Sequence, residues 1–359
     1  MSIATRPRVV VADDSALMRR IVSNLLTRGG VEVVGTAKDG DEALAVCDRE
    51  RPDAMTLDLA MPGMGGIEVL RTLRGRGADL PVVVVSAFSP SQGARAVDAL
   101  AEGAFELVPK PTGSGDVSAF EQNLLGKIQL AVRNGRPSRA STRVSAGVRG
   151  AVGAVQGAGG ANGRAGARPA RRGVSRALLI ATSTGGPRAL ATVVPGLPSP
   201  LGLGTMIVQH MPAGFTASLA ARLDRASALN VREARGGESW DPTVALVAPG
   251  GRHLRLGPGG GAMLSDEDAI GGLRPRADLL IEDAAAKWGD RLTLVVLTGM
   301  GNDGLLGARE VKRRGGRVLV EAEQTCTVYG MPRAVAEAGL ADEVVPIGEM
   351  AGAIAAEVA

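Results

Sequence analysis

Two groups of residues in this chain have the types and spacing to do chemistry. The first is Asp13, Asp14, Asp58, Ser86 and Lys110; the second is Ser183, His210 and Asp303. Three carboxylates gathered at one point repel and raise one another's pKa unless a cation lies among them. Mg2+ suits such a group, because it takes carboxylate and water oxygens and leaves positions for phosphate oxygens. An aspartate beside that ion can attack a phosphoryl donor and become an aspartyl phosphate. Asp58 is the candidate phosphoryl acceptor, Asp13, Asp14 and Asp58 are the candidate metal ligands, and Ser86 and Lys110 are the candidate contacts to the phosphoryl oxygens. A lone aspartate at a strand end is usually a helix cap, so the reading rests on five polar residues falling at matching ends.

Ser183 lies in Thr182-Ser183-Thr184-Gly185-Gly186-Pro187, which turns from an apolar run into a helix beginning near Arg188. A serine on a tight strand-to-helix turn is exposed, with helix N-terminal amides near enough to stabilise an oxyanion. The segment does not match GxSxG, since Ala181 stands at the first glycine. A Gly-rich phosphate loop is a competing reading, without the GK[ST] lysine or full GxGxxG spacing. A nucleophilic serine needs a base, and the chain has only two histidines. His210 ends the apolar run Met206 to Gln209, whereas His253 is expected in a hairpin turn. Asp303, in the Gly-rich segment 298–304, is the candidate acid that orients His210, and the Thr184 and Met300 amides are the candidate oxyanion donors.

The elements that must position these residues follow from the pattern. From Arg8 to about Val132, short β-branched runs alternate with helical periodicity, as in βαβ units with a parallel sheet. Strands are expected over 8–12, 31–35, 54–58, 82–86 and 105–108, and Leu17, Ile21 and Leu25 recur as one buried helix stripe. In a doubly wound sheet, sites form outside the carboxyl ends of the strands, where all five polar residues of the first group fall. A second α/β pattern opens at 177–181, with later runs at 205–208, 244–247, 292–297 and 317–320. Residues 131–173 contain ten glycines, nine arginines and no acid, the composition of a flexible linker. The expected organisation is therefore a domain over 1–130, a linker over 131–173 and a second domain over 174–359.

The 359 residues carry 41 Lys and Arg against 37 Asp and Glu, a net +4 that invites a nucleic-acid reading. Outside residues 131–173 the balance is 32 against 37, so the two domains are acidic together and the basic charge sits in the tether. With seven aromatics, stacking platforms for bases are excluded. Cys47 and Cys326 show no CxxC spacing, so neither a disulfide framework nor a structural zinc site is expected, and a reducing compartment fits. No run approaches a membrane span, and the apolar run 9–12 is too short for a signal core.

The Asp13-Asp14 pair, Asp58 followed by LAMPGMGG, Ser86-Ala87 and Lys110 between two prolines resemble the receiver domain of two-component response regulators, over residues 8 to about 130. STGGP, HMPAGFT (210–216), TGMGNDG (298–304) and CTVYGMP (326–332) resemble the catalytic domain of the chemotaxis protein-glutamate methylesterases, over about 175–355. The resemblance implies a flavodoxin-like receiver with a five-stranded parallel sheet and a doubly wound α/β catalytic domain. It further implies a cytoplasmic, phosphorylation-regulated serine hydrolase that demethylates glutamate γ-methyl esters on chemoreceptors and deamidates glutamines. A chemotaxis histidine kinase would be the phosphodonor and methylated chemoreceptors the substrate. Mg2+ would belong to the receiver, the catalytic domain would need no cofactor, and nucleic acid would have no part. Two departures stand out. Leu107 occupies the aromatic switch position, so the signal is expected to leave through the surface of the fourth helix and fifth strand by another route. Arg276 replaces the serine of the family's RPSxD stretch beside Arg274, Pro275 and Asp278, which implies an altered receptor preference where that stretch shapes the substrate groove. A DNA-binding output and a hydrolase of small esters are the alternative readings.

Overall fold

The computed structural model describes residues 6–87, 90–111, 117–135 and 175–358. The first sheet has five strands, β1 (Arg8–Ala12), β2 (Glu32–Ala37), β3 (Ala54–Leu57), β4 (Val82–Ser86) and β5 (Glu106–Pro109), in the order β2-β1-β3-β4-β5. All are parallel, as strands buried on both faces by crossover helices must be. The helices are α1 (Ala16–Arg28), α2 (Gly40–Glu50), α3 (Gly66–Gly75), α4 (Pro90–Ala101) and α5 (Val117–Gly135). In β1, Val9 and Val11 face the core under α1 and α5, and Val10 and Ala12 face that under α2, α3 and α4.

Two expectations change in this half. The buried stripe of α1 is Val22, Leu25 and Leu26, while Leu17 is 67% exposed. At 3.6 residues per turn Leu17 lies more than about 100° round the helix from the centre of that stripe. Residues 131–135, expected in the linker, belong instead to α5, which runs to Gly135 with Ala131 and Val132 buried in the core. The remainder of the expected linker, 136–173, lies outside the described residues, as does Val174.

The second sheet contains β6 (Ala177–Thr182), β7 (Thr205–Gln209), β8 (Asn230–Glu233), β9 (Val244–Val247), β12 (Leu292–Val296), β13 (Arg317–Glu321) and β14 (Glu343–Val345), in the order β14-β13-β12-β6-β7-β9-β8. These strands are parallel; β10 (His253–Leu256) and β11 (Ala262–Ser265) form a separate antiparallel hairpin. His253 therefore opens a strand and is fully buried, rather than lying in a turn. The helices are α6 (Gly186–Val193), α7 (Phe215–Ala226), α8 (Ala277–Trp288), α9 (Leu305–Arg313), α10 (Met331–Glu337) and α11 (Ile347–Val358). Along β6, Leu178 and Ile180 pack toward α6, α7 and α11, and Ala177, Leu179 and Ala181 toward α8, α9 and α10. Each leucine or isoleucine so buried contributes about 1.5–3 kcal/mol. Strand order reverses about β6, and its neighbours β12 and β7 bring three carboxyl ends side by side, where such sheets carry their sites.

One apolar cluster runs on from the first half into the second. Ala96, Val97 and Leu100 of α4 belong to the same buried set as Ala189 and Leu190 of α6 and Leu219 and Leu223 of α7. Arg222 of α7 pairs with Asp98 of α4 at the edge of this contact.

Candidate active site

In the first half, Asp13 follows β1, Asp58 follows β3, Ser86 ends β4 and Lys110 follows β5, all at one edge of the sheet. Asp13 and Asp58 are buried, and Lys110 bridges them, Nζ lying 2.8 Å from one carboxylate and 3.0 Å from the other. Burial pushes the Asp13 carboxyl up, against the pull of Lys110. The Lys110 ammonium is held above its usual range by the two aspartates, although burial opposes its charge. Asp14 is exposed, yet one oxygen each from Asp13, Asp14 and Asp58 lies within 4.8 Å of the others. This hard, all-oxygen donor set at one point fits a small divalent cation.

In the second half, Ser183 and His210 directly follow Thr182 and Gln209, which are register partners in β6 and β7. His210 Nε2 donates to Asp303 Oδ2 at 2.7 Å. Asp303 is buried; it also accepts hydrogen bonds from the amides of Ala277, Asp278 and Gly304. Burial alone would raise its pKa, but His210 and the Ala277 and Asp278 amides bring it down to about 2. An ionised carboxylate at Nε2 fixes the proton there, leaving the lone pair on Nδ1. Nδ1 is buried and has no partner among the described residues. His210 thus keeps an unpartnered ring nitrogen at the end of β7, next to the strand that Ser183 follows.

Several residues that hold this geometry escape the sequence reading. Thr298 accepts through its carbonyl from the Ser183 amide (3.0 Å) and the Thr182 hydroxyl (2.8 Å), and its own hydroxyl donates to the Thr184 carbonyl. Its amide donates at 2.8 Å to Glu321, a carboxylate 1% exposed whose pKa is raised by burial. Glu321 ends β13, so the rule that located Asp58 applies to it as well. The Gln209 side-chain amide donates to the carbonyls of both Ser183 and His210. A Cβ on Gly186 would stand 2.0 Å from Gln209 Oε1, so the glycine-rich turn serves close packing beneath Ser183. The Thr184 and Met300 amides donate to no other described residue, and Gly299 lies against Ser183, where a Cβ would be 2.8 Å from that of the serine.

The two halves meet at this turn. Glu106 of β5 accepts at 2.7 Å from the Thr184 hydroxyl and at 2.7 Å from Lys127 of α5. Its neighbour Leu107 is buried in the core of its own domain, and so β5 presents Glu106 rather than the residue at the switch position.

The description "CheB methylesterase" matches residues 178–354, and "Response regulator receiver domain" matches residues 9–119. The protein-glutamate methylesterase/protein-glutamine glutaminase of Symbiobacterium thermophilum is 40% identical over 352 residues, which cover 97% of this chain and 96% of that protein. Its counterpart in Geobacillus kaustophilus is 40% identical over 354 residues, covering 97% of each. Among solved structures, the Thermotoga maritima CheB methylesterase catalytic domain is 42% identical and covers 50% of this chain and 97% of that one, with a TM-score of 0.49.

Proposed function

The chain belongs to the family of protein-glutamate methylesterases/protein-glutamine glutaminases, and from that premise we propose that Ser183, His210 and Asp303 carry its hydrolysis and Asp58 its control. The chain is a receiver-regulated hydrolase of glutamate γ-methyl esters and glutamine amides. The observation that carries the residue assignment is the buried, unpartnered Nδ1 of His210, with Nε2 fixed on Asp303. The Ser183 hydroxyl gives its proton to Nδ1 as Oγ attacks the γ-carbonyl carbon. The oxyanion is held by the Thr184 and Met300 amides. Methanol leaves with the proton from His210, or ammonia in the case of glutamine. Water, deprotonated by the same nitrogen, then releases the acyl group as glutamate.

Methylated chemoreceptors are the substrate of this reading and a chemotaxis histidine kinase the phosphodonor, with the cytoplasm as the compartment. Among the described residues no helix is long and apolar enough to cross a membrane. Methanol release from methylated receptor, set against a panel of small esters, should favour the receptor strongly. Equal turnover of the small esters would overturn the substrate assignment.

Asp13, Asp14 and Asp58 would hold Mg2+, with Ser86 and Lys110 beside it to receive the phosphoryl oxygens. Bound there, the ion neutralises the charge of the entering phosphoryl group. Lys110 now spans Asp13 and Asp58, so phosphorylation of Asp58 must re-partner it, and β5, which ends beside Lys110, carries the change to Glu106. A local charge change of this kind biases a two-state packing, here the contact of α4 and β5 with α6, α7 and Thr184. Asp58→Asn should keep basal methanol release and lose all response to acetyl phosphate; a response of normal size would remove Asp58 from the switch. Glu106→Ala should raise basal hydrolysis roughly ten- to a hundredfold, the effect of losing one hydrogen bond to a charged group, and unchanged basal hydrolysis would show that this bond restrains nothing.

A further inference from the structure

The carboxylate that orients His210 has a second carboxylate at its side. Asp278 is buried, and its Oδ1 shares the Gly304 amide with Asp303 Oδ1. Two carboxylates this close cannot both ionise in a buried site without a cation. Arg276 provides one: its guanidinium lies 2.8 Å from Asp278 Oδ2 and 3.5 Å from Asp303 Oδ1, with Nη1 on the Ile270 carbonyl, and the side chain is 16% exposed. Its amide donates to Nδ1 of His253, whose Nε2 lies 3.2 Å from the Asp268 carbonyl, so both ring nitrogens of that buried histidine are partnered. Glu282 of α8 also faces Asp278, its carboxyl raised by burial and by that neighbour, while the remaining charges face other groups: Glu106 takes the Thr184 hydroxyl, Glu233 takes the Thr216 hydroxyl, and the Arg274 guanidinium reaches the carbonyls of Asp266 and Glu267.

Resting on the triad assignment above, we infer that Arg276 is a positioning residue that keeps the Asp278 and Asp303 pair ionised, so that Asp303 stays a full carboxylate aimed at His210. Asp278 stands above the usual carboxylate range through burial and the neighbouring Asp303, and so takes up a proton first once the cation is gone. A protonated Asp278 offers its proton to Asp303, which then binds His210 Nε2 less firmly. The two carboxylates take up protons as a coupled pair. Losing a cation eases that uptake, moving the acidic side of the kcat/KM profile to higher pH.

The test titrates the carboxylate carbons of Asp278 and Asp303 by NMR in the full chain carrying Ser183→Ala, with and without Arg276→Gln, and records the pH profile of methanol release in the active chain. Arg276→Gln should raise the pH at which the carboxylate pair takes up a proton by roughly one unit or more, as loss of a nearby opposite charge does. The double variant Arg276→Gln/Asp278→Asn removes one positive and one negative charge and should bring the kcat/KM profile back toward that of the parent. Arg276→Lys, which keeps the charge, should stay near the parent. Carboxylate titration unmoved by Arg276→Gln would overturn the inference; titration that moves while the activity profile does not would leave Arg276 its role and overturn the triad assignment. A loss of kcat with no change in either pH dependence would show Arg276 to be a packing element alone.

Discussion

Ser183→Ala should lower methanol release from methylated receptor by about 10^4- to 10^6-fold, the scale seen when a triad nucleophile is removed and only binding and oxyanion contacts remain. The fold should be indifferent to the change. Ser183 is held by its backbone, through its amide to Thr298 and its carbonyl to the Gly186 amide and Gln209, and none of these bonds involves Oγ. The Thr184 and Met300 amides stay where they are, so an acyl intermediate analogue that needs no nucleophile should still bind. Phosphorylation of Asp58 should proceed normally, because the carboxylate cluster stands at the ends of β1, β3 and β5, in a different sheet from the one that carries Ser183. Retention of even a tenth of the parent rate would remove Ser183 from the reaction and return the 182–187 turn to the phosphate-loop reading.

How much of this is legible in the sequence follows from where each residue acts. Asp13, Asp58, Ser86 and Lys110 each interrupt an apolar strand at its carboxyl end, and a parallel sheet gathers such ends whatever the detail of packing. The same rule reaches Ser183 and His210. Asp303 is different, since it lies several residues beyond β12 and its place depends on Gly304 entering α9 with positive φ, an N-cap no apolar pattern reports. Arg276 and Asp278 act through a tertiary network with Asp303 that spacing along the chain does not encode. Glu106 alternates with buried Leu107 in β5 and reads as an ordinary surface residue until the second domain is placed against it. Strands β8 and β14 escape the pattern for a simpler reason: Asn-Val-Arg-Glu and Glu-Val-Val are short, polar-flanked edges of the sheet, where one buried face leaves little apolar signal. For His253 the glycines before it suggest a turn, whereas the hairpin's own turn lies after Leu256, in the Gly-rich segment 257–261.

Asp303→Asn is expected to cost about 10^4-fold in kcat, as the corresponding change does in serine triads where it leaves histidine in the wrong tautomer. The environment of Asp303 accounts for that outcome here. The hydrogen bonds to its two oxygens all come from donors, although the Asp278 carboxylate stands beside Oδ1: Oδ1 receives the Asp278 and Gly304 amides and faces Arg276, and Oδ2 receives Ala277 and His210. An asparagine has one oxygen, and placing it at the Oδ1 site keeps the larger number of bonds. The NH2 group then falls at the Oδ2 site and donates to Nε2, which drives the imidazole proton onto Nδ1, the nitrogen that should take the proton of Ser183. The alternative orientation would set NH2 against two amides and a guanidinium, at about 1–3 kcal/mol for each buried donor left unmatched. Since Asp303 in the parent stays ionised down to about pH 2, the loss should be nearly uniform across neutral pH rather than confined to the acidic side. A proton resonance on Nδ1 in place of Nε2, with Asp58 phosphorylation unchanged, would identify the tautomer as the cause. Near-parent kcat in the Asp303→Asn enzyme would mean that His210 is aimed by packing alone.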